Sequence, residues 1–182
     1  YDKTETKLTT ELQNEGISIS FEDVVDEKFS ELNKENTLVI YTPAIKVLGI
    51  LDYFNQNGFE VLKRAKVLGL ITENTECISV AGTHGKTTTS SLVAHLCKVA
   101  NLPFSGFLGG IAENYKSNFI YNGTEISVLE ADEYDRSFLN LSPDWAIVTS
   151  IDADHLDIYG DTETIEQGFR DFADLVPEND QL

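Results

Sequence analysis

The chain has 182 residues, 41% of them hydrophobic, which is enough for a buried core in one ordinary domain or in two small ones. Its 13 lysines and arginines are outnumbered by 31 aspartates and glutamates, and the formal net charge of −18 argues against a nucleic-acid partner, whose phosphates need a basic surface. The sequence contains no apolar run near the roughly 18 residues of a membrane-spanning helix. Because two cysteines are too few for a disulfide framework, we expect reduced, buried thiols in a cytoplasmic protein without membrane insertion.

Helical and strand patterns alternate along the first 72 residues. The apolar pair Leu8 and Leu12 predicts a helix that ends at Gly16, and residues 17–21 then alternate as a strand. The patterns that follow predict a strand at 37–42, a helix at 48–57, a strand at 60–64 and a helix at 65–72. This alternation is typical of an α/β fold with a parallel sheet, and we place a domain boundary between residues 74 and 75.

The same alternation continues beyond that boundary. Residues 76–81 predict a buried parallel strand, and residues 86–100 predict a helix with Leu92, Leu96 and Val99 at helical spacing. Later patterns predict strands at 125–132 and 145–152 and a helix at 163–176.

A glycine-rich turn joins the strand at 76–81 to the helix that follows, and residues 80–89 read V-A-G-T-H-G-K-T-T-T. Glycines allow backbone amides to approach phosphate oxygens, and the start of a helix favours negative charge. Lys86 would reach the β and γ phosphates of a nucleotide, and the hydroxyl of Thr87 suits a Mg²⁺ ligand. Val80 occupies the place of the first glycine of the usual phosphate loop, so the turn has the tighter G-x-x-G-K-T form.

This turn predicts ATP binding by seven consecutive residues: Gly82, Thr83, His84, Gly85, Lys86, Thr87 and Thr88. The alternative interpretation is an ordinary glycine turn that caps a helix.

Two later strands end in acidic segments. The first, at 130–135, reads E-A-D-E-Y-D, and the second, at 152–157, reads D-A-D-H-L-D. Because ligands of open α/β sheets bind outside the carboxyl ends of the strands, we expect both segments to face the glycine-rich turn. Glu130 is the predicted carboxylate ligand of Mg²⁺, and His155 could hold a second metal ion or a substrate carboxylate. The alternatives are a solvated acidic loop and a structural histidine.

Three segments together resemble the Mur ligases, ATP-dependent amide-forming enzymes of peptidoglycan precursor synthesis. They are G-T-H-G-K-T-T-T at 82–89, E-A-D-E-Y-D at 130–135 and D-A-D-H-L-D-I-Y-G at 152–160. Their spacing is also similar to the family's, since Glu130 follows Thr87 by 43 residues and His155 follows Glu130 by 25. Within the family, His84 is similar both to the members that join L-alanine to UDP-N-acetylmuramate and to those that attach a tripeptide. The run at 137–157, S-F-L-N-L-S-P-D-W-A-I-V-T-S-I-D-A-D-H-L-D, favours the L-alanine members. Tyr134 is shared with members that attach the tripeptide L-Ala-D-Glu-diaminopimelate, which remain an alternative.

The resemblance implies a fold, a site and a reaction. The expected fold is α/β: an incomplete Rossmann-like UDP-substrate domain at 1–74, truncated at its start, and an incomplete phosphate-loop ATPase domain at 75–182, truncated at its end, with a mainly parallel sheet. Lys86, Glu130 and His155 would be catalytic, with Thr87 and Glu130 holding one Mg²⁺ and His155 contributing to a second. The implied substrates are ATP, UDP-N-acetylmuramate and L-alanine, and the isolated fragment is expected to be inactive.

Two interpretations from other functional classes stay open. A GTPase switch or small-molecule kinase would share a phosphate loop, although the sequence lacks an N-K-x-D guanine motif. A non-catalytic module could bind nucleotide or UDP-sugar without chemistry.

Overall fold

The computed structural model describes residues 1–42, 48–152 and 161–178 and divides the chain into two compact units, Tyr1–Arg64 and Ala65–Leu182. The division lies ten residues before the predicted domain boundary at 74/75. The reason is that the residues after Arg64 pack with the second unit. Leu68 contacts the buried cluster that contains Phe138, and Gly69 lies so close to the carbonyl oxygen of Asn140 that a Cβ would collide with it.

The first unit contains a small parallel sheet with a helix packed beside it. Its elements are helix α1 (Lys7–Asn14), strand β1 (Leu38–Tyr41), helix α2 (Gly49–Gln56) and strand β2 (Glu60–Lys63), and β1 pairs in parallel with β2. Ile50, Phe54 and Phe59 form its buried cluster. The carboxylate of Asp23 accepts hydrogen bonds from the amides of Gly49 (2.7 Å) and Ile50 (2.9 Å), and it therefore caps α2.

The predicted helix at the start of the chain is confirmed, whereas the strand predicted next to it is wrong. Thr6 caps α1 in a capping box with Thr9, which fixes the first turn. Residues 17–21 do not form a strand. A strand requires a ladder of backbone hydrogen bonds to a neighbour. In the described part of the chain, this segment has instead a single backbone hydrogen bond to the residues before α1, from Asp2 N to Ser20 O (3.0 Å).

The second unit is a mixed sheet between helices. After helix α3 (Arg64–Thr72) come β3 (Glu76–Ala81), α4 (Lys86–Val99), β4 (Phe104–Ala112), β5 (Ser117–Tyr121), β6 (Ile126–Glu130), β7 (Trp145–Val148) and α5 (Thr162–Ala173). The strand order is β5-β4-β6-β3-β7, and all neighbouring pairs are parallel except β4 and β5. The mainly parallel sheet of the sequence analysis is confirmed, but the antiparallel β4–β5 hairpin was not predicted.

Each face of this sheet has its own buried cluster. Because side chains alternate along a strand, Val128 and Leu129 of β6 point to opposite faces. Leu129 packs with Phe138 and with α5, while Val128 packs with α4 and Phe104. Cys77 and Cys97 are both buried and unpaired, as predicted, and burial raises the pKa of the Cys77 thiol.

Helix α4 contacts the sheet through small residues. Leu92, Leu96 and Val99, whose spacing predicted the helix, are each more than half exposed. The buried side consists of Ser90, Ala94 and Cys97. Because these side chains are small, the helix lies close to the sheet. A Cβ built on Gly106 of β4 would lie 3.4 Å from the Cβ of Ala94. Among the described helices, none has the length and apolar character needed to cross a bilayer.

Candidate phosphate-binding site

The glycine-rich turn joins β3 to α4, as predicted. Val80 belongs to the buried strand, so the turn itself begins at Gly82. Gly82 (φ 132°) and Gly85 (φ 81°) both adopt left-handed backbone conformations, which residues with a Cβ rarely tolerate. Gly85 directly precedes α4, and the amides of Lys86, Thr87 and Thr88 lie in the first helical turn. Such amides have no acceptor within their own helix and are suited to bind phosphate oxygens.

The residues that directly follow β7 hold the first half of the turn in place. Thr83 N donates to the carbonyl of Ser150 (3.0 Å), and His84 N donates to the Ser150 hydroxyl (3.1 Å). Asp152 N donates to Thr83 Oγ1 (3.1 Å). A Cβ on Gly82 would lie 2.9 Å from Ser150 N and would collide with the Thr149 hydroxyl. The amides of Thr83 and His84 therefore brace the turn, and the amides at the start of α4 are the ones suited to receive a phosphate.

Lys86 lies across this turn. Its Nζ donates to the carbonyl oxygen of Gly82 (2.7 Å) and to Oε1 of Glu133 (2.9 Å), and it lies 3.5 Å from the carbonyl oxygen of Thr83. The Lys86 side chain is 16% exposed and that of Glu133 is 2% exposed. This is a nearly buried ion pair between the start of α4 and the acidic segment after β6.

The two predicted magnesium ligands approach the same pair of glycines in β4. Glu130 ends β6, and its Oε2 accepts a hydrogen bond from Gly109 N (2.9 Å). A Cβ on Gly109 would collide with the Glu130 carboxylate, and a Cβ on Gly110 would lie 3.1 Å from Cγ2 of Thr87. The two glycines therefore leave room for the Glu130 carboxylate and for the Thr87 side chain beside adjacent residues of β4. The carboxylate and the Thr87 hydroxyl are the oxygen donors that Mg²⁺ prefers.

Other predicted site residues are less engaged or lie outside the described residues. His84 is exposed, with Nε2 3.8 Å from Oδ2 of Asp152, and Thr88 is exposed as well. His155 falls within 153–160, outside the described residues. Among the described residues, no three His, Cys, Asp or Glu side chains are grouped so that they could hold a metal ion.

Several residues of the site were not predicted individually. They are Gly109, Gly110, Glu133, Thr149 and Ser150. Consecutive glycines inside a strand are a usable signal of close backbone approach, and Gly109–Gly110 carried that signal. Glu133 lay within the acidic segment already noted, but nothing local distinguished it from its acidic neighbours.

Comparison with known families decides the relationship of the chain. Residues 80–182, more than half of it, match the family model described as the Mur ligase middle domain. The chain belongs to the Mur ligase family. The resemblance seen in the sequence is confirmed, and so is the α/β fold that it implied.

The similar proteins include ligases of known name. The UDP-N-acetylmuramate–L-alanine ligase of Flavobacterium psychrophilum is 52% identical over 183 residues, which cover 100% of this chain and 41% of that protein. The crystal structure of the UDP-N-acetylmuramate-alanine ligase of Thermotoga maritima matches 95% of this chain and 40% of its own, with a TM-score of 0.77 and 27% identity.

A second solved structure shares the fold. The UDP-N-acetylmuramate:L-alanyl-gamma-D-glutamyl-meso-diaminopimelate ligase of Neisseria meningitides has a TM-score of 0.80 at 24% identity and covers 96% of this chain and 59% of its own. This Mur ligase chain thus spans about two fifths of the length of the curated relatives it matches.

Proposed function

We propose that this chain supplies the nucleotide-binding site of a cytoplasmic, ATP-dependent ligase that joins L-alanine to UDP-N-acetylmuramate in peptidoglycan precursor synthesis. The observation that carries the proposal is a glycine turn at the start of α4 with Lys86 lying across it, while Thr87 and Glu130 lie beside adjacent glycines of β4. The identity of 52% to a ligase of that name supports the choice of substrates. The activity is assigned to the full-length form, meaning a protein that carries this sequence together with the further regions found in its relatives.

Thr87 and Glu130 fit a magnesium ion. Mg²⁺ is usually bound in nucleotide sites by one or two protein oxygens together with phosphate oxygens and water. The Thr87 hydroxyl and the Glu130 carboxylate are such donors, and the two residues approach adjacent glycines of β4. Thr87 and Glu130 would hold the ion, which would neutralise part of the phosphate charge when bound there. The role of His155 toward a second ion stays a prediction, because the residue is outside those described.

The proposed reaction needs no nucleophile from the protein. A carboxylate oxygen of UDP-N-acetylmuramate forms a bond to the γ phosphorus as the bond to ADP breaks, giving an acyl phosphate. The amine of L-alanine then attacks the carbonyl carbon, loses a proton, and phosphate leaves. The protein's task is to position the reactants and stabilise charge. The amides in the first turn of α4 and the ammonium of Lys86 would bind the phosphate oxygens during transfer.

Acceptor-dependent phosphate release tests this proposal. The full-length form is incubated with Mg-ATP and UDP-N-acetylmuramate, and L-alanine, D-alanine or the L-Ala-D-Glu-diaminopimelate tripeptide is added separately. We expect phosphate release with L-alanine and not with D-alanine, which controls for non-specific amines. Release only with the tripeptide would reassign the chain to the tripeptide-adding ligases. Absence of release with every acceptor would favour a non-catalytic nucleotide-binding module.

A further inference from the structure

The buried ion pair between Lys86 and Glu133 joins two segments that meet at the predicted phosphate site. Lys86 begins α4, and Glu133 lies three residues after Glu130, beyond the end of β6. Glu133 is among the largest fully buried side chains described, and its Oε1 is 2.9 Å from the ammonium nitrogen. Removing a carboxylate from water is costly unless it is paired, so its burial here calls for a specific role.

The geometry of the ammonium group suggests that role. An ammonium has three N–H donors that rotate together about the terminal bond. Two of the three are taken by short contacts, to the Gly82 carbonyl oxygen at 2.7 Å and to Glu133 at 2.9 Å. Two fixed contacts determine the rotation of the group and hence the direction of the third N–H. The contact to the Thr83 carbonyl oxygen, at 3.5 Å, is at the limit of a hydrogen bond and would yield easily to a better acceptor.

We propose that Glu133 is a positioning residue that orients Lys86 toward the phosphates of the bound nucleotide. The inference rests on the proposed function for the nature of the ligand, since phosphate oxygens are the acceptors that the third N–H would meet. With glutamine in place of Glu133, the four-carbon side chain of Lys86 keeps its charge but has only a neutral amide oxygen as acceptor, which restrains its conformations less than a carboxylate does.

Two other roles for Glu133 make different predictions. If its negative charge merely lies near the phosphates, removing the charge should tighten nucleotide binding, because like charges repel. If Glu133 only supports the local fold, its removal should weaken nucleotide binding whether or not Lys86 is present. A positioning role predicts weaker binding only in the presence of Lys86.

A double-mutant cycle separates the three roles. The full-length form and its variants Glu133→Gln, Lys86→Ala and Lys86→Ala/Glu133→Gln are titrated with a non-hydrolysable ATP analogue and Mg²⁺ by calorimetry. We expect Glu133→Gln alone to weaken binding about tenfold, as a modest misplacement of a charged group does, and to change it less than about twofold when Lys86 is already alanine. Tighter binding by Glu133→Gln, or equal weakening in both backgrounds, would overturn the inference.

Folding and function are controlled separately. Circular dichroism and thermal unfolding are recorded for all four proteins, and if Glu133→Gln does not fold, the same cycle is run with Glu133→Asp, which keeps the charge but withdraws it by about one methylene from Lys86. If the wild-type protein binds the analogue but does not ligate L-alanine, the proposed function fails while the inference stands. If it ligates but the cycle shows no coupling, the inference alone fails. Failure of the wild-type protein to bind the analogue would overturn both.

Discussion

Lys86→Ala in the full-length form is expected to reduce ATP-dependent turnover by about 10³-fold or more, because it removes the positive charge that lies against the developing negative charge of the transferred phosphoryl group. The variant is also expected to be less stable. It removes one partner of the Glu133 carboxylate, which is 2% exposed, and breaking one side of a buried pair costs about 3 kcal/mol of unfolding free energy.

The two effects can be measured apart. Adding Glu133→Gln to Lys86→Ala removes the buried carboxylate charge that Lys86 no longer balances, so we expect the unfolding free energy to recover while turnover stays low. Lys98→Ala is the matched control, since Lys98 lies on the same helix and its ammonium bonds to Asn122 (2.9 Å), away from the turn. Turnover of Lys86→Ala within about tenfold of the wild-type value would contradict the assignment of Lys86 to the phosphates.

Glu130→Gln is expected to abolish the contribution of Mg²⁺ to nucleotide binding and to lower turnover by about 10²-fold or more. The substitution preserves the size of the side chain and an oxygen that can accept the hydrogen bond from Gly109 N, so the local packing should survive. What it removes is the negative charge expected to hold the ion beside Thr87. The effect should therefore depend on the metal and not on the fold.

Calorimetry with ADP in the presence and absence of Mg²⁺ measures this dependence. For the wild-type protein we expect tighter ADP binding with Mg²⁺, and for Glu130→Gln the same affinity with and without it. Glu113→Gln serves as the control, because Glu113 is 84% exposed and pairs with Lys116 at the surface. An undiminished Mg²⁺ effect in Glu130→Gln would contradict the role proposed for this carboxylate.

The sequence predicted the core of the fold well where patterns are strong. The bounds of β3 agree residue for residue with the prediction, and α4 ends one residue earlier than predicted. The agreement is close because a buried apolar run, a glycine turn and a long helical segment follow one another there. The β4–β5 hairpin was missed because β4 contains three glycines, which depress strand propensity. The wrong strand at 17–21 had the right alternation but pairs with no strand among the described residues, and pairing is a tertiary property that a local pattern does not contain.

The site likewise contains residues that the sequence predicted and residues that it did not. Lys86, Thr87 and Glu130 were predicted because their chemistry follows from the turn and from a strand end. Glu133 could not be separated from Asp132, since the two are adjacent acids and only packing shows that Glu133 is buried while Asp132 is exposed. The hydrogen bonds from Thr83 and His84 to Ser150 form because β7 lies next to β3. These partners are separated by 67 and 66 positions in the sequence, so a local pattern does not contain the contact.

Transfer of oxygen from the substrate carboxylate to phosphate tests most directly whether this site activates a carboxylate with ATP. UDP-N-acetylmuramate labelled with oxygen-18 in its carboxylate is incubated with the full-length form, Mg-ATP and L-alanine, and the released phosphate is examined by mass spectrometry. An acyl phosphate requires that one labelled oxygen leave with each phosphate, because the bond that breaks lies between that oxygen and the carbonyl carbon. Phosphate released without the label would show that water attacks the nucleotide, and it would contradict the ligase mechanism.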